Sequence, residues 1–195
     1  MRKVSILTTC YNAEKTISNS LKSSLNQNFE DYEIVVVDDG SNDKTRDILK
    51  KFKNKKIKKY FLSENIGRTK ALNYGLKKCN SKYIAILDAD DTSYSDRLKI
   101  QFNFLEKKKN FDLVCSFYNK KFDNKKKKII KFKDLELFKE KLRYINLIAH
   151  SSVMYRANQI NKLKIYNNNF LYAQDYEMIL KFLKKNKIGF ISKVL

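Results

Sequence analysis

The chain has 195 residues, enough for one α/β domain with a sizeable core and too few for two ordinary domains. Hydrophobic residues make up 43% and aromatic residues 13% of it, enough apolar material to offset chain entropy and to exclude a disordered chain despite 32% charged residues. The 42 Lys and Arg against 21 Asp and Glu leave a formal net charge of +21, which opens three readings: compositional bias, attraction to an anionic membrane surface, or nucleic-acid binding. Zero prolines alongside abundant Lys, Asn, Ile, Phe and Tyr fit the first, the signature of an AT-rich coding sequence.

No apolar run approaches the roughly 20 residues needed to span a bilayer, and Met1–Asn12 lacks the long apolar stretch of a secretory signal. A cytoplasmic protein is expected. Cys10, Cys79 and Cys115 are widely separated and form no C-x-x-C pair, so neither a disulfide framework nor a zinc site is indicated. Each reads as a small buried hydrophobe.

In chain order, short β-branched runs alternate with helical patterns, the mark of a parallel sheet covered by crossover helices. Lys3–Thr9 reads as a strand, and Asn12–Gln27 as a helix whose Ile17, Leu21 and Leu25 share one face. Tyr32–Asp38 is the near-continuous apolar run of a central parallel strand; turn residues 39–42 and a helix over Asp43–Phe52 follow. The pattern then predicts strand Ile57–Leu62, helix Gly67–Lys78 packed through Ala71, Leu72, Gly75 and Leu76, and strand Tyr83–Leu87. Helix Asp96–Lys107 and strand Phe111–Phe117 lead into a lysine-rich stretch, Asn119 to Lys133, read as a solvated hairpin or loop. Beyond it come helix Leu135–Asn146, a strand around Ile148–Tyr155, a polar loop through Asn169, helix Gln174–Lys185, and the start of a further strand at Phe190–Leu195. That last feature suggests a piece of something longer.

The strand over Tyr83–Leu87 ends in three carboxylates, Asp88, Asp90 and Asp91, at the edge where open α/β sheets bind ligands. Like charges there repel unless a cation or donor groups compensate. An Asp-x-Asp suits a hard divalent cation such as Mg²⁺ or Mn²⁺, which prefers one or two carboxylates with phosphate oxygens and water and clamps a diphosphate. A bare Asp-x-Asp in a loop is far more often a solvated turn, so its surroundings decide.

Those surroundings carry a resemblance. Val4-Ser5-Ile6-Leu7-Thr8-Thr9-Cys10-Tyr11-Asn12 resembles the opening of the family 2 glycosyltransferases with the GT-A fold, and Val35-Val36-Val37-Asp38-Asp39-Gly40-Ser41 resembles their second strand and turn. Glu64-Asn65-Ile66-Gly67 with Ala71-Leu72-Asn73 is similar to a third block, and Leu87-Asp88-Ala89-Asp90-Asp91 to their metal motif. His150-Ser151-Ser152-Val153-Met154-Tyr155-Arg156 and Gln174-Asp175-Tyr176-Glu177 resemble the acceptor-side blocks. Each alone is weak; six in order from residue 4 to 177 are strong.

The resemblance implies an α/β, Rossmann-like, mostly parallel sheet flanked by helices in one domain over 1–195, with a nucleotide-sugar half over 1–118 and an acceptor-side half over 119–195. It also implies an inverting glycosyltransferase that takes a nucleotide diphosphate sugar, most commonly a UDP-sugar, to a glycan or lipid-linked saccharide in cell-surface polysaccharide synthesis. Thr9 and Tyr11 would line the nucleotide pocket, Asp39 would hydrogen-bond the base edge, Asp88 with Ala89 would lie near the ribose, and Asp90 would ligate Mn²⁺ or Mg²⁺. Lys70 would meet phosphate, and Asp175 would be the general base, with Glu177 in reserve. His150, Ser151 and Gln174 fall on the acceptor side. Structural alternatives stand beside these roles: a core aromatic for Tyr11, a turn or cap for Asp38 and Asp39, and a carboxylate serving the helix dipole for Asp175. His150, the one histidine, is either a satisfied core residue or a cleft residue. Gln174 departs from the acidic residue usual before the base, and Leu72 from a common arginine, whose charge Arg68 would supply.

Two rivals remain. A sugar nucleotidyltransferase would open with a glycine-rich loop after its first strand, where this chain has Thr9-Cys10-Tyr11-Asn12; four glycines form neither a G-x-G-x-x-G nor a Walker loop. A basic nucleic-acid-binding protein draws on the lysine runs at Lys50–Lys59 and Lys120–Lys133, but arginine is scarce and no recognised binding motif is present. A membrane-proximal role at an anionic surface accounts for the charge better.

Overall fold

The computed structural model describes residues 1–122, 126–130, 135–185 and 187–195, with backbone alone for 121–122, 126–130 and 135. Among the described residues eight strands form one mixed sheet: β1 (Arg2–Cys10), β2 (Tyr32–Asp38), β3 (Ile57–Phe61), β4 (Ser81–Ile86), β5 (Leu113–Phe122), β6 (Lys126–Ile130), β7 (Met154–Arg156) and β8 (Ile188–Val194). Their order is β3-β2-β1-β4-β7-β5-β6, with β8 paired to β5. Strands β1–β5 and β8 run one way, and β6 and β7 the other. The sheet is mostly parallel, as expected.

Alternation along the strands sends side chains to two cores. Leu7, Val35 and Val37 pack on one face with Ala71, Leu72 and Leu76 of α3 (Arg68–Lys78), Phe138 of α5 (Leu135–Lys141) and Met178, Ile179 and Phe182 of α7 (Gln174–Lys184). Val4, Ile6, Ile34 and Val36 pack on the other with Ile17 and Leu21 of α1 (Ile17–Leu25), Leu49 of α2 (Thr45–Lys51) and Leu98 and Leu105 of α4 (Arg97–Lys107). Both faces are covered, which is why β2 reads as a continuous apolar run.

Several boundaries differ from the sequence pattern. The first helix begins at Ile17 rather than Asn12: Asn12 has a left-handed φ of 50°, and the amides of Asn12, Ala13 and Glu14 are bound to Ser41 Oγ, Thr45 Oγ1 and Asp43 Oδ2. The expected strand over Ile148–Tyr155 is a 3₁₀ turn, His150–Ser152, followed by the three-residue β7. The buried Arg97 donates to Ile86 O of β4 and to Val153 O, and Gln101 Nε2 donates to Ser152 O, so side chains of α4 bind the backbone where the 3₁₀ turn enters β7. Helix α5 stops at Lys141, and the loop expected through Asn169 contains α6 (Gln159–Leu163), whose five residues are too short to show a periodicity. The hairpin alternative for residues 119–133 holds where β5 pairs β6, from Tyr118 opposite Ile130. Residues 123–125 and 131–133 of that stretch lie outside the described residues.

Candidate functional site

The carboxyl ends of β1, β2 and β4 open onto a cleft of about 400 Å³. Its lining includes Thr9, Tyr11, Asn12, Asp39, Asn65, Arg68, Ala89 and Asp90, so five of the nucleotide-side candidates, Thr9, Tyr11, Asp39, Ala89 and Asp90, meet around one space. Tyr11 is 47% exposed and lies over the cleft, which removes the core-aromatic reading. The loop bearing it is laced to the turn after β2. Besides the amides of residues 12–14, the exchange runs in reverse: Asn12 Oδ1 accepts from Asn42 N and Glu14 Oε2 from Lys44 N. Asn12 itself has a φ of 50°, a strained conformation held by these bonds.

Asp39 is buried against the cleft wall, with Oδ1 accepting from Ile66 N at 2.9 Å and Oδ2 from Gly67 N at 3.0 Å. It ties the turn after β2 to the start of α3, and each oxygen keeps a lone pair for a further donor. Asp38 takes neither the turn nor the cap role; its carboxylate is fully buried and paired with Arg46 Nε at 2.6 Å. Cys10 also lines the cleft, but burial, reinforced by Asp38, Asp43 and Asp39, pushes its thiol well above the ordinary range, so it is inert.

The strand-end acids differ sharply from one another. Asp88 Oδ1 accepts from Arg68 Nη2 at 2.7 Å and lies 3.3 Å from His150 Nδ1, and the Asp88 amide donates to Ser151 Oγ at 2.9 Å. Burial alone would raise its pKa; the hydrogen bond and charge of His150, with those of Arg68, win and hold it well below the usual carboxylate range. Asp91 goes the other way, raised by burial and by the like charges of Asp88 and Asp90 against a hydrogen bond from Ser151. Asp90 is exposed at the cleft, and no described residue hydrogen-bonds its carboxylate. It is therefore free to serve a divalent cation. Among the described residues no group of three or more His, Cys, Asp or Glu could enclose a metal, so a cation here would hold Asp90 and draw its other oxygens from a phosphate-bearing ligand and water.

His150 is buried, and its Nε2 lies 2.7 Å from Tyr166 Oη. With Nδ1 also 3.2 Å from Arg68 Nη2, the ring joins Arg68, Asp88 and Tyr166 in one network behind the cleft lining, with both ring nitrogens engaged. Tyr166 was not singled out by the sequence. It stands in an unpatterned stretch, 16 residues from His150, and nothing local marks it. Arg68, by contrast, lines the cleft, whereas Leu72 is buried in the core. Lys70 is exposed and does not line the cleft.

On the far side, Asp175 opens α7, and its Oδ2 accepts from Asn146 Nδ2 at 3.0 Å. The residue before the helix proper, Ala173, has a φ of 55°, a left-handed conformation costly for alanine. Thr69 Oγ1 donates to Phe170 O and Asn73 Nδ2 to Tyr166 O, which ties the loop ahead of α7 to α3, the helix that carries Arg68. Gln174 is buried, whereas Glu177 is bound to Lys181 at 2.7 Å with its Oε2 buried and without a hydrogen bond among the described residues.

Residues 5–186 match the family model for glycosyl transferase family 2. The chain is 31% identical over 199 aligned residues to an uncharacterized glycosyltransferase of Rickettsia typhi, covering 98% of this chain and 62% of that one. A relative from Methanocaldococcus jannaschii bearing the same description is 33% identical over 187 residues, covering 91% and 63%. Among solved structures, residues 1–349 of S. aureus TarS align with a TM-score of 0.82 at 26% identity, covering 98% of this chain and 59% of that one. The same TarS fragment is also known in complex with UDP and with UDP-GlcNAc. A mannosyltransferase from Pyrobaculum calidifontis, solved with GDP-Man and Mn²⁺, shares the fold alone at 18% identity and a TM-score of 0.75 over 99% of this chain and 55% of that one. The chain thus spans about six tenths of the length of the Rickettsia typhi and Methanocaldococcus jannaschii relatives. With a sheet of the GT-A kind and a family model that matches from β1 through α7, this chain belongs to glycosyl transferase family 2.

Proposed function

We propose that the protein transfers a sugar from a nucleotide diphosphate donor, a UDP-sugar in the first instance, to a hydroxyl of a glycan or lipid-linked saccharide, with inversion at the anomeric carbon. One observation carries this reading: Arg68 lines the nucleotide-side cleft and binds Asp88, and both meet His150 of the acceptor-side block, so one network joins the two sides. UDP is supported as the donor nucleotide by the TarS complexes with UDP and UDP-GlcNAc.

Tyr11 would lie against the base, and Asp39 would offer its remaining lone pairs to the base edge. Asp88, held in place by Arg68, His150 and Ser151, would face the ribose, and Asp90 would ligate Mn²⁺ or Mg²⁺. When bound, that cation would neutralise charge developing on the departing diphosphate. Asp175 would take the proton from the acceptor hydroxyl as its oxygen attacks the anomeric carbon from the side opposite the leaving diphosphate. Asn146 engages Oδ2 and leaves Oδ1 for that proton, and Glu177, tied to Lys181, is less free to serve. Among the described residues no helix is long and apolar enough to cross a membrane. We assign the net charge of +21 to peripheral contact with an anionic membrane surface, as suits an enzyme of cell-surface polysaccharide synthesis.

A thermal-shift screen of UDP, GDP and ADP with and without Mn²⁺ tests the reading. A ligand that binds only the folded state stabilises it by about 2.7 kcal/mol at a hundredfold excess over its Kd, and UDP with Mn²⁺ should give the largest shift. Equal, metal-independent shifts from all three nucleotides would overturn it.

A further inference from the structure

Most large apolar side chains of the protein are buried, but two loops beside Asp175 hold theirs in the open. In the first, after α5, Tyr144 is 78% and Ile145 57% exposed; in the second, ahead of α7, Leu171 is 80% and Tyr172 86% exposed. The tips are displayed rather than loose. Tyr176 Oη donates to Leu142 O and Asn146 Nδ2 to Asp175 on one side, and Thr69 Oγ1 donates to Phe170 O on the other. The Asn146–Asp175 bond also limits their separation. Counting about 3.8 Å per residue along each loop from that bond, the Ile145 and Tyr172 backbones lie no more than about 25 Å apart, with Asp175 between them.

Three features distinguish a bilayer from other occupants. Leucine and isoleucine have no ring face for a sugar to stack on, yet both are more than half exposed beside the tyrosines, so hydrocarbon suits the set better than a saccharide. Tyrosine is the residue of the membrane–water interface, with an apolar ring and a polar tip. Lys141 at the end of α5 and Arg143 in the first loop are exposed and form no ion pair with a described acid, and the whole chain carries +21, which opposes association with a second copy and favours an anionic surface.

We infer that Tyr144–Ile145 and Leu171–Tyr172 form a membrane-contact edge that enters the interface of an anionic bilayer. The contact stands on exposure and charge; its consequence, that Asp175 is held at the lipid surface and takes a hydroxyl of a membrane-anchored acceptor, rests on the function proposed above.

The sequence contains no tryptophan, so a single introduced one reports its own surroundings. Tyr144→Trp and Tyr172→Trp would each be mixed with vesicles of phosphatidylglycerol and phosphatidylcholine, with Phe61→Trp on the edge strand β3 as the control. Both loop variants should show blue-shifted emission and strong quenching by brominated lipid, at least threefold beyond the control, and both effects should fade in neutral vesicles and at high salt. Vesicle binding without a shift at either loop, equal quenching of Phe61→Trp, or no vesicle binding would each overturn the edge. Ile145→Ser with Leu171→Ser should weaken vesicle binding about tenfold and leave the UDP–Mn²⁺ thermal shift unchanged; unaltered vesicle binding would also count against it. Because the nucleotide shift is read on the unsubstituted protein, its failure sinks the transferase reading separately from the lipid contact.

Discussion

At the residue scale, two aspartates two positions apart have opposite fates. Asp88 is consumed by Arg68 and His150, whereas Asp90 stands exposed in the cleft without an internal partner among the described residues. If Asp90 serves the donor's metal and Asp175 the acceptor's proton, the two lesions should separate in kinetics. Asp175→Asn keeps the size and the bond from Asn146 but cannot take the proton, so turnover should fall roughly 10²–10⁴-fold with donor affinity nearly unchanged. Asp90→Asn should instead abolish the metal-dependent part of UDP binding and spare the fold, because it contributes nothing to the core. Donor binding by calorimetry and transfer rate with Mn²⁺ read both, and the anomeric configuration of the product by NMR tests inversion. A nearly active Asp175→Asn would move attention to Glu177. The strand-end acids were legible in the sequence because a carboxylate cluster after a buried strand marks the ligand-binding edge. Their partners were not: His150 lies 62 residues from Asp88 and 82 from Arg68, so only the fold reveals which acid is neutralised.

At the scale of elements, the cleft depends on the turn after β2 meeting the start of α3. Asp39 reaches the amides of Ile66 and Gly67 only because Gly40 lets the chains touch; a Cβ on Gly40 would fall 2.3 Å from Glu64 C and 2.4 Å from Asn65 N. Gly40 also has a φ of 73°. Gly67 has a φ of 90°, but a Cβ there meets nothing within 4 Å. Gly40→Ala therefore combines steric overlap with backbone strain and should cost about 2–5 kcal/mol, with loss of UDP affinity as the 64–67 loop is pushed off Asp39. Gly67→Ala carries strain alone and should cost about 1–3 kcal/mol. Denaturant midpoints of the two variants check the ranking, and an equal or smaller loss at Gly40 would show that the loop yields freely. Long elements were readable because a period of two or 3.6 persists through them, as in β2 and α1. Short ones were not. Helix α6 has five residues and β7 three, and Arg97, a buried arginine whose pKa burial pushes down to about 10, clamps two carbonyls beside β7 with no local signature in the sequence.

At the scale of the whole molecule, a net charge of +21 on 195 residues sets self-repulsion against the cohesion of two well-filled cores. Ion pairs offset part of it, including Glu33 with Lys58 at 2.7 Å and Glu106 with Lys82 at 2.6 Å. Yet acids are half as many as bases, so about half of the cations must go without one, and exposed pairs contribute only about 0–1 kcal/mol each. Long-range repulsion should therefore outweigh local attraction, and the two respond oppositely to salt. Between about 0.01 M and 0.15 M ionic strength the screening length falls from roughly 30 Å to 8 Å, which removes repulsion across the molecule while close pairs are weakened less. The protein should become more stable over that interval, with Tm rising by about 2–4 °C for each kcal/mol gained in a domain of this size. The measurement is a thermal scan across a sodium chloride series at neutral pH, matched by a sucrose series that stabilises without screening. A Tm that falls with chloride would mean that the ion pairs dominate and that the lysines are organised into a supporting network. A rise confined to low ionic strength would mark the excess charge as unpaired in the free protein and available to an anionic surface.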